Sequence, residues 1–579
     1  MFLSKISIKN FRAIENLEVQ FNKGITILTG ENNVGKTAIM DALRLVTLSS
    51  SDYDALRISL DDFHNDNVGK SIEINAEFQE LSTTDEIGMF EALVFAPDGK
   101  IHAQINSVST YSPEVNKIKT RTTGGLATVA NPVSLLYDYV DATYMKPLRD
   151  PAQSLKSSRF SYPAKYLSDK LSAAQKLDME ELARSFNESL ASKEGIVEAE
   201  RLYNDVFSDI VGLQSTQDIK LIFNEPNFLR LVSDIKTKID SKEYHLNGLG
   251  YNNILVIAFI IAAHQHILDR YKILIIEEPE AHLHPLMQRL LLTYLQRTVK
   301  NGDGNTQVII STHSPVFASK AKVENVCHIT RLPSKVQSAS LFDIVNNESS
   351  DELHYLSAKQ QRKLERFLDV TRAELFFSKR IILVEGIAEA LILPSIAKSI
   401  GLEMDECGVT IINCHGLNFE MFIPVLEKMG IKTAIITDTD RKEENEASSY
   451  CEKLQNLLKN SRNIQIFPTR KTFEWALLQN EKIKQLAQQV IAEMPHKTIA
   501  NRCDSKNGEE MFEYLFGDKG NLPKADFAQE FADALHSLNS TTGKPKSGSS
   551  EKEQKAEHSI TREDFPENII QAIDYVCGK

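Results

Sequence analysis

The stretch G-E-N-N-V-G-K-T at residues 30–37 decides the fold of this chain. It has the form G-x-x-x-x-G-K-[ST]. A short apolar segment with Ile25 and Ile27 precedes it, and apolar residues at helical spacing follow it over residues 39–46. A strand, this loop and a helix in that order form a phosphate-binding loop. The sequence therefore predicts an α/β fold that binds a nucleotide.

Each position of the loop suits a polyphosphate. Gly30 and Gly35 let the backbone turn with its N–H groups pointing inward, and Asn33 lies inside that turn. The following helix N-terminus adds partial positive charge. Lys36 supplies a full charge to the β- and γ-phosphates, and the Thr37 hydroxyl can bind Mg²⁺. We therefore expect ATP with Mg²⁺.

A second part of the ATP site is predicted at an unbroken apolar run, residues 272–276, that ends in Glu277 and Glu278. Such a run is typical of a strand buried on both faces of a parallel sheet. Ligands of such sheets bind at the carboxyl ends of the strands. We expect Glu277 to hold the metal through water and Glu278 to act as the general base of ATP hydrolysis.

Composition limits the class of protein. The 579 residues are enough for roughly three or four domains. The net charge of −13 argues against bulk electrostatic binding of nucleic acid, although it leaves room for a local basic channel. Six cysteines without a C-x-x-C pair are typical of free thiols. With no membrane-length apolar run and no signal peptide, we expect a cytoplasmic protein without membrane contact.

The second half of the chain predicts a different chemistry. Three apolar segments alternate with helical ones, which indicates another parallel sheet. Glu385, Glu389, Asp438 and Asp440 follow the ends of two of these strands and should meet at one edge. Carboxylates without Cys or His partners favour Mg²⁺ or Mn²⁺, and two such ions could clamp a phosphodiester. The segments are residues 380–384, 409–413 and 433–437.

The motifs of residues 1 to about 335, apart from a helical insert, resemble the ATPase half of the overcoming-lysogenization-defect (OLD) family of nucleases. The start of the chain also resembles RecF- and SMC-like ATPases. The motifs, in order, are N-F-R (10–12), the phosphate loop, G-L-G-Y-N-N (248–253), I-I-E-E-P-E-A-H-L-H-P (275–285) and S-T-H-S-P (311–315).

The resemblance implies further residues at the nucleotide. Arg12 would lie beside it, and His313 would contact the γ-phosphate. Gly248 and Gly250 would face the nucleotide of a second subunit, so that ATP binds between two head-to-tail copies.

The later V-E-G and D-T-D motifs resemble those of a Toprim domain, which follows this kind of ATPase in OLD nucleases. Glu385, Glu389, Asp438 and Asp440 match the metal-binding acids. The resemblance also implies that Glu474 is a further catalytic acid and that Lys524 stabilises developing phosphate charge. Six basic residues are candidate phosphate contacts of DNA: Lys379, Arg380, Arg441, Lys442, Arg470 and Lys471.

The expected fold class is α/β, with an ABC-type (RecF/SMC-like) P-loop ATPase domain that carries a helical insert and precedes a Toprim α/β domain. We also expect a strand where the sheet resumes at residues 219–223. The expected divisions are an N-terminal ATPase lobe (1–150), a helical dimerisation insert (151–215), a C-terminal ATPase lobe (216–345), a connector (346–375), the Toprim nuclease domain (376–538), a flexible linker (539–559) and a C-terminal helix (560–579).

The sequence thus predicts a metal-dependent DNA endonuclease with an ATPase, acting as a homodimer or higher homo-oligomer. The resemblance implies bacterial anti-phage defence, alone or beside a helicase-like protein or a retron RNA–DNA element. One alternative is a non-catalytic RecF/SMC-like clamp in DNA repair, which leaves the later acids unexplained. The other is a topoisomerase-like Toprim protein, which needs a nucleophilic tyrosine; Tyr514 is a poor candidate.

Overall fold

A computed structural model describes most of the chain, and the fold is given for those residues. The described residues are 1–48, 56–97, 99–126, 137, 139–147, 161–211, 218–235, 238–239, 242–243, 248–265, 270–301, 305–333, 335–346, 353–439, 449–494, 497–503, 506–517, 520–541 and 560–578.

Strands occur in both halves of the described chain. They are β1 (Phe2–Phe11), β2 (Ile14–Gln20), β3 (Ile25–Thr29), β4 (Ile72–Gln79), β5 (Leu93–Phe95), β6 (Ile101–Ser112), β7 (Lys117–Gly124), β8 (Val140–Met145), β9 (Lys238–Ile239), β10 (Lys242–Glu243), β11 (Tyr271–Glu277), β12 (Thr306–Ser311), β13 (Val326–Arg331), β14 (Val336–Ser340), β15 (Arg380–Val384), β16 (Val409–Asn413), β17 (Lys432–Asp438) and β18 (Ile464–Thr469).

Helices alternate with these strands. They are α1 (Lys36–Thr47), α2 (Thr83–Gly88), α3 (Tyr162–Lys170), α4 (Ala173–Ala191), α5 (Glu194–Val211), α6 (Phe228–Ser233), α7 (Leu249–Gln265), α8 (Pro285–Asn301), α9 (Pro315–Ala318), α10 (Phe342–Asn346), α11 (Ala358–Phe367), α12 (Ile387–Ser399), α13 (Ile423–Met429), α14 (Ser449–Leu458), α15 (Phe473–Leu478), α16 (Glu481–Glu493), α17 (Lys497–Cys503), α18 (Gly508–Phe516), α19 (Lys524–Thr541) and α20 (Glu567–Cys577).

The first half contains a central sheet of six strands in the order β14-β13-β3-β12-β11-β8. All neighbouring pairs are parallel except β13 with β14. Its strands are buried on both faces, which is why their sequences are nearly unbroken apolar runs. The phosphate loop follows the carboxyl end of β3, and Glu277 lies at the carboxyl end of β11.

A second, antiparallel sheet of six strands covers one side of the central sheet. Its order is β2-β1-β4-β6-β5, and β7 pairs with β6. Inward residues such as Ile6, Ile8 and Ile74 are buried, whereas their neighbours along the strands face outward, as strand alternation requires. Helix α1 lies between the two sheets, with Ile39 and Leu43 in the shared core.

The insert consists of α3, α4 and α5, close to the predicted helical stretch. The strand expected at residues 219–223 is wrong: residues 218–227 form neither strand nor helix. The segment lies along the insert helices instead, where the side-chain amide of Asn204 binds both backbone groups of Ile219 and Glu200 Oε1 accepts from the backbone N–H of Leu221. Apolar alternation predicted pairing, but side chains of α5 satisfy this backbone.

The second half is a sheet of four parallel strands in the order β16-β15-β17-β18. Alternate residues of β15 face opposite sides, so Ile381 and Ile382 belong to different cores. Helix α20 packs on this sheet through buried Ile569, Ile573 and Val576. Helix α19 reaches Thr541, three residues into the predicted linker, and residues 542–559 lie outside the described residues.

The two halves share one apolar core. Helix α11 and a 3₁₀ helix, Arg372–Phe377, connect them, and Leu364 and Phe376 are buried there. One contiguous cluster runs from Ile27 in the ATPase sheet to Leu383 in the second sheet. Across the described ranges, no helix has the length and apolarity needed to span a membrane.

Candidate functional site

The phosphate loop is held in its turn by two glycines. Gly30 has φ 131°, and a Cβ there would lie 2.1 Å from the carbonyl oxygen of Ile329. Gly35 has φ 108° and precedes the first residue of α1. Lys36 Nζ donates to the carbonyl oxygens of Gly30 (2.7 Å) and Glu31 (2.6 Å). Burial lowers the pKa of Lys36 to about 8, against the opposing effect of nearby acids.

Glu277 is held by two hydroxyl groups. Thr37 Oγ1 donates to Glu277 Oε1 at 2.5 Å, and the Tyr144 hydroxyl donates to Glu277 Oε2 at 2.6 Å. Tyr144 comes from β8, the parallel neighbour of β11, where it pairs in register with Ile275. Tyr144 was not predicted from the sequence; the signal was its place at the end of a predicted β-subdomain.

The candidate base and the candidate phosphate-sensing histidine are neighbours. His313 Nε2 lies 3.3 Å from Glu278 Oε1, and Glu278 has φ 44°. Burial, and then the charge of Glu277, raises the pKa of Glu278. Burial, and then the charge of Lys36, lowers the pKa of His313 to about 4, so its imidazole is neutral at pH 7. Glu280, which was not predicted from the sequence, accepts from the His313 backbone N–H at 2.6 Å.

Arg12 belongs to a charged chain next to this site. Its Nε donates to Asp62 Oδ1 at 2.7 Å, and its Nη1 binds Asp41. Asp41 also binds Arg44, whose guanidinium lies 4.1 Å from the ring centroid of Tyr144. Arg12 is therefore linked to the Glu277 partner through intermediate side chains, while its contact with a nucleotide stays a prediction.

Gly248 precedes α7, and Gly250 lies in its first turn. A Cβ on Gly250 would lie 2.7 Å from the His282 carbonyl oxygen, so this helix end fits closely against the loop after β11. Asn253 Nδ2 donates to the Ala281 carbonyl oxygen at 2.7 Å in the same contact. Their position opposite a second subunit stays a prediction.

The second site is a cavity of about 310 Å³ at the carboxyl edge of the four-stranded sheet. The end of β15 provides Glu385, the first turn of α12 provides Glu389, and the end of β17 provides Asp438. Glu474 of α15 and Lys524 of α19 complete the set, and all five residues line the cavity. The structure thus brings these predicted residues together. Asp440 lies outside the described residues.

Like charges crowd this cavity. Burial, and then the charges of Glu385 and Glu389, raises the pKa of Asp438 to about 9. Burial is also the main cause that raises the pKa of Glu389 to about 7. Lys524 Nζ lies 2.7 Å from Glu474 Oε2, and the Asp438 backbone N–H donates to Glu385 Oε1 at 2.8 Å.

The donor set of the cavity suits a hard divalent cation. In the part of the chain that the structure describes, no three His, Cys, Asp or Glu side chains are arranged so that they could hold one ion as they stand. The acids around the cavity nevertheless offer only carboxylate oxygens, which Mg²⁺ and Mn²⁺ prefer. Their raised pKa values reflect a charge excess that a bound cation would relieve.

The predicted phosphate contacts divide between two edges of the sheet. Lys379 and Arg380 are at the amino end of β15, roughly 16 Å along the strand from the acids, so their assignment to the Toprim edge is wrong. Lys379 Nζ pairs with Glu31 Oε2 at 3.4 Å instead. Arg470 and Lys471 follow the carboxyl end of β18 and lie over the ring of Trp475. Arg441 and Lys442 are outside the described residues.

Comparisons with known proteins agree with this architecture. The sequence model of the AAA ATPase domain matches residues 1–131 and 141–318, more than half of the chain. That of the "overcoming lysogenization defect protein-like, TOPRIM domain" matches residues 376–440. The chain is 24% identical over 506 residues to the OLD nuclease of Thermus scotoductus, which covers 82% of this chain and 91% of that protein.

Two further similarities have the same character. The chain is 23% identical over 472 residues to Endonuclease GajA of Bacillus cereus strain VD045, which covers 76% of this chain and 75% of that protein. The solved C-terminal region of the Burkholderia pseudomallei OLD protein covers 34% of this chain and 97% of its own length, at 20% identity and a TM-score of 0.26.

Fold, sites and matched domains define a P-loop ATPase joined to a Toprim nuclease domain. Domains of these two kinds use a nucleotide and a divalent metal. The chain belongs to the OLD family of ATPase–Toprim nucleases.

Proposed function

We propose that this protein is an ATP-hydrolysing, Mg²⁺- or Mn²⁺-dependent endonuclease that breaks phosphodiester bonds of DNA in the cytoplasm. The observation that carries the proposal is the cavity where Glu385, Glu389, Asp438, Glu474 and Lys524 meet, on the same chain as a phosphate loop. A non-catalytic clamp gives no reason for such a cluster of buried acids.

In the proposed cleavage site, Glu385, Glu389 and Asp438 hold the divalent ions, together with Asp440. Bound ions of this kind stabilise the attacking and leaving oxygens of a phosphodiester. Lys524 donates to a non-bridging phosphate oxygen as negative charge develops. Its ammonium is oriented by Glu474, which is almost fully buried and accepts from it at 2.7 Å.

In the proposed ATP site, Lys36 binds the β- and γ-phosphates and Thr37 and Glu277 hold the Mg²⁺. Glu278 accepts a proton from the attacking water, since its raised pKa makes it a better base than an ordinary carboxylate. His313 is neutral at pH 7 and can donate a hydrogen bond to the γ-phosphate.

The insert is proposed as the dimerisation arm. Helices α4 and α5 expose large apolar side chains, including Leu182, Phe186 and Ile210, which is 78% exposed. Monomers rarely leave so many apolar groups in water on two adjacent helices. A homodimer would also bring Gly248 and Gly250 of one copy toward the nucleotide of the other.

Supercoiled plasmid incubated with the protein and Mg²⁺ or Mn²⁺ tests the proposal. Nicked or linear DNA is the expected product. Intact plasmid under all conditions would identify the clamp, and relaxed closed circles would identify the topoisomerase. GajA is named an endonuclease, and a role in anti-phage defence, with a helicase-like protein or a retron element as partner, is tested by plating phage on cells with the wild type or with Asp438→Ala.

A further inference from the structure

The antiparallel sheet of the ATPase domain carries a cavity of about 480 Å³ on its outer face. This face points away from the core, because Ala103 and Ile105 of β6 are buried whereas Gln104 and Asn106 point outward. The cavity is separate from both sites described above. The lining residues that matter here are Asn75, Gln104, Asn106, Thr110, Lys119 and Arg121.

The charge of this outer sheet face is locally positive in a chain with a net charge of −13. Lys119 and Arg121 are exposed on β7 and stand about 7 Å apart along the strand. No carboxylate occurs among the described lining residues. The neighbouring acids of β4 are already paired, since Glu73 lies 3.1 Å from Lys9 Nζ and Glu77 is paired with Lys5.

The floor of the cavity is built from amides on interior strands. Gln104 Nε2 donates to Asn106 Oδ1 at 2.6 Å, and Asn106 Nδ2 donates to the Gly125 carbonyl oxygen at 2.7 Å. Asn75 lies directly across from Asn106 on β4. The face therefore offers ordered hydrogen-bonding groups beside two cations, which is the composition of a surface that binds phosphate and sugar groups.

Protection of a sheet edge and binding of a single strand each fit this face less well. Lysines on an edge strand such as β7 prevent sheet-to-sheet association, but that does not explain the amides on β4 and β6. A binding groove for single-stranded nucleic acid uses aromatic side chains on which bases stack. Within the described lining there is no aromatic residue, which favours a duplex held by its backbone.

We propose that the outer sheet face is a second DNA contact surface that binds the phosphate backbone of duplex DNA without reading its sequence. This inference rests on the proposed function, because it takes DNA as the substrate. It gives an acidic protein the local positive surface that its overall charge does not supply.

Binding of a labelled duplex, measured by fluorescence anisotropy without divalent ions over a salt series, tests the inference. The double variant Lys119→Gln/Arg121→Gln should bind more weakly and reduce the slope of log K against log salt by about two. The charge-preserving variant Lys119→Arg/Arg121→Lys should keep the wild-type slope. Lys320→Gln/Lys459→Gln removes the same charge elsewhere and should have no effect.

A second variant, Thr110→Glu, adds a carboxylate to the exposed lining and should also weaken binding. Thermal melting and ATP hydrolysis of each variant verify the fold. Wild-type affinity and slope in both Lys119→Gln/Arg121→Gln and Thr110→Glu would overturn the inference and assign the face to another acidic partner. If the wild type cuts plasmid in that case, the proposed function stands; a wild type that neither binds nor cuts DNA removes both.

Discussion

Tyr144 orients the acid that is proposed to hold the ATP-site metal. Its hydroxyl donates to Glu277 Oε2, and the other carboxylate oxygen accepts from Thr37. We expect Tyr144→Phe to lower metal-dependent ATP hydrolysis by about 10–100-fold, because outer partners of metal-binding carboxylates typically have effects of this size. The Mg²⁺ concentration for half-maximal rate should rise, whereas nucleotide binding without Mg²⁺ should stay unchanged.

The control for this variant is Tyr111→Phe, which removes an exposed hydroxyl that donates to Asn116. It should hydrolyse ATP like the wild type. If Tyr144→Phe shows the same Mg²⁺ dependence as this control, the hydroxyl does not orient Glu277.

The Arg12–Asp62 pair makes stability depend on pH. Burial alone would raise the pKa of Asp62, but hydrogen bonds from Ser59 and Arg12 outweigh it and lower the pKa below its usual value. A lowered pKa in the folded state stabilises the protein above the unfolded pKa, and this contribution is lost as pH falls through the folded value. The stabilising effect is therefore present at pH 7 and disappears in acid, below about pH 4.

We expect Asp62→Asn to reduce the free energy of unfolding by about 1–3 kcal/mol at pH 7. Urea unfolding of wild type and variant at pH 7 and at pH 3 measures the difference, which should shrink in acid. A difference of equal size at both pH values would mean that the carboxylate charge is not the cause.

Sequence motifs predicted most of the site residues but not their partners. Lys36, Glu277 and the acids 385, 389 and 438 follow strands whose apolar runs are easily recognised, so their place at strand ends could be inferred. Tyr144 and Glu280 could not, because their roles depend on which strands and loops become neighbours in space.

At the scale of elements, the insert presents a testable surface. Phe186 of α4 and Ile210 of α5 are exposed, and dimerisation would bury them. We expect Phe186→Glu/Ile210→Glu to convert the dimer to monomer, since a charge in an apolar interface is costly. Sedimentation velocity measures the change.

The matched control is Lys193→Glu, on the exposed turn between α4 and α5. It should leave the oligomeric state unchanged. A wild type that sediments as a monomer, or a double variant that remains dimeric, would assign the arm another purpose.

The element-level prediction failed where local pattern and tertiary context disagree. Residues 219–223 alternate like a strand, yet side chains of the insert satisfy their backbone. Lys379 and Arg380 are close in sequence to Glu385, but a whole strand separates them from it. Proximity in sequence does not indicate the same edge of a sheet when a strand lies between.

For the whole molecule, the structure suggests a path from the ATP site to the nuclease sheet. Glu31 of the phosphate loop pairs with Lys379, which immediately precedes β15. We expect Lys379→Glu to bring the ratio of cleavage with and without ATP closer to one, because it replaces attraction by repulsion. Lys398→Glu, whose partner is Glu403, is the control. An unaltered ratio in Lys379→Glu would show that coupling does not use this pair.

A nuclease centre in the acidic cavity is tested most sharply by a parallel assay of ATP hydrolysis and plasmid cleavage. The assay compares the wild type with Asp438→Asn, Glu385→Gln and Lys36→Ala. We predict that the first two variants lose cleavage but keep ATP hydrolysis, whereas Lys36→Ala loses hydrolysis. Plasmid cleavage at the wild-type rate by Asp438→Asn and Glu385→Gln would contradict a nuclease centre in this cavity.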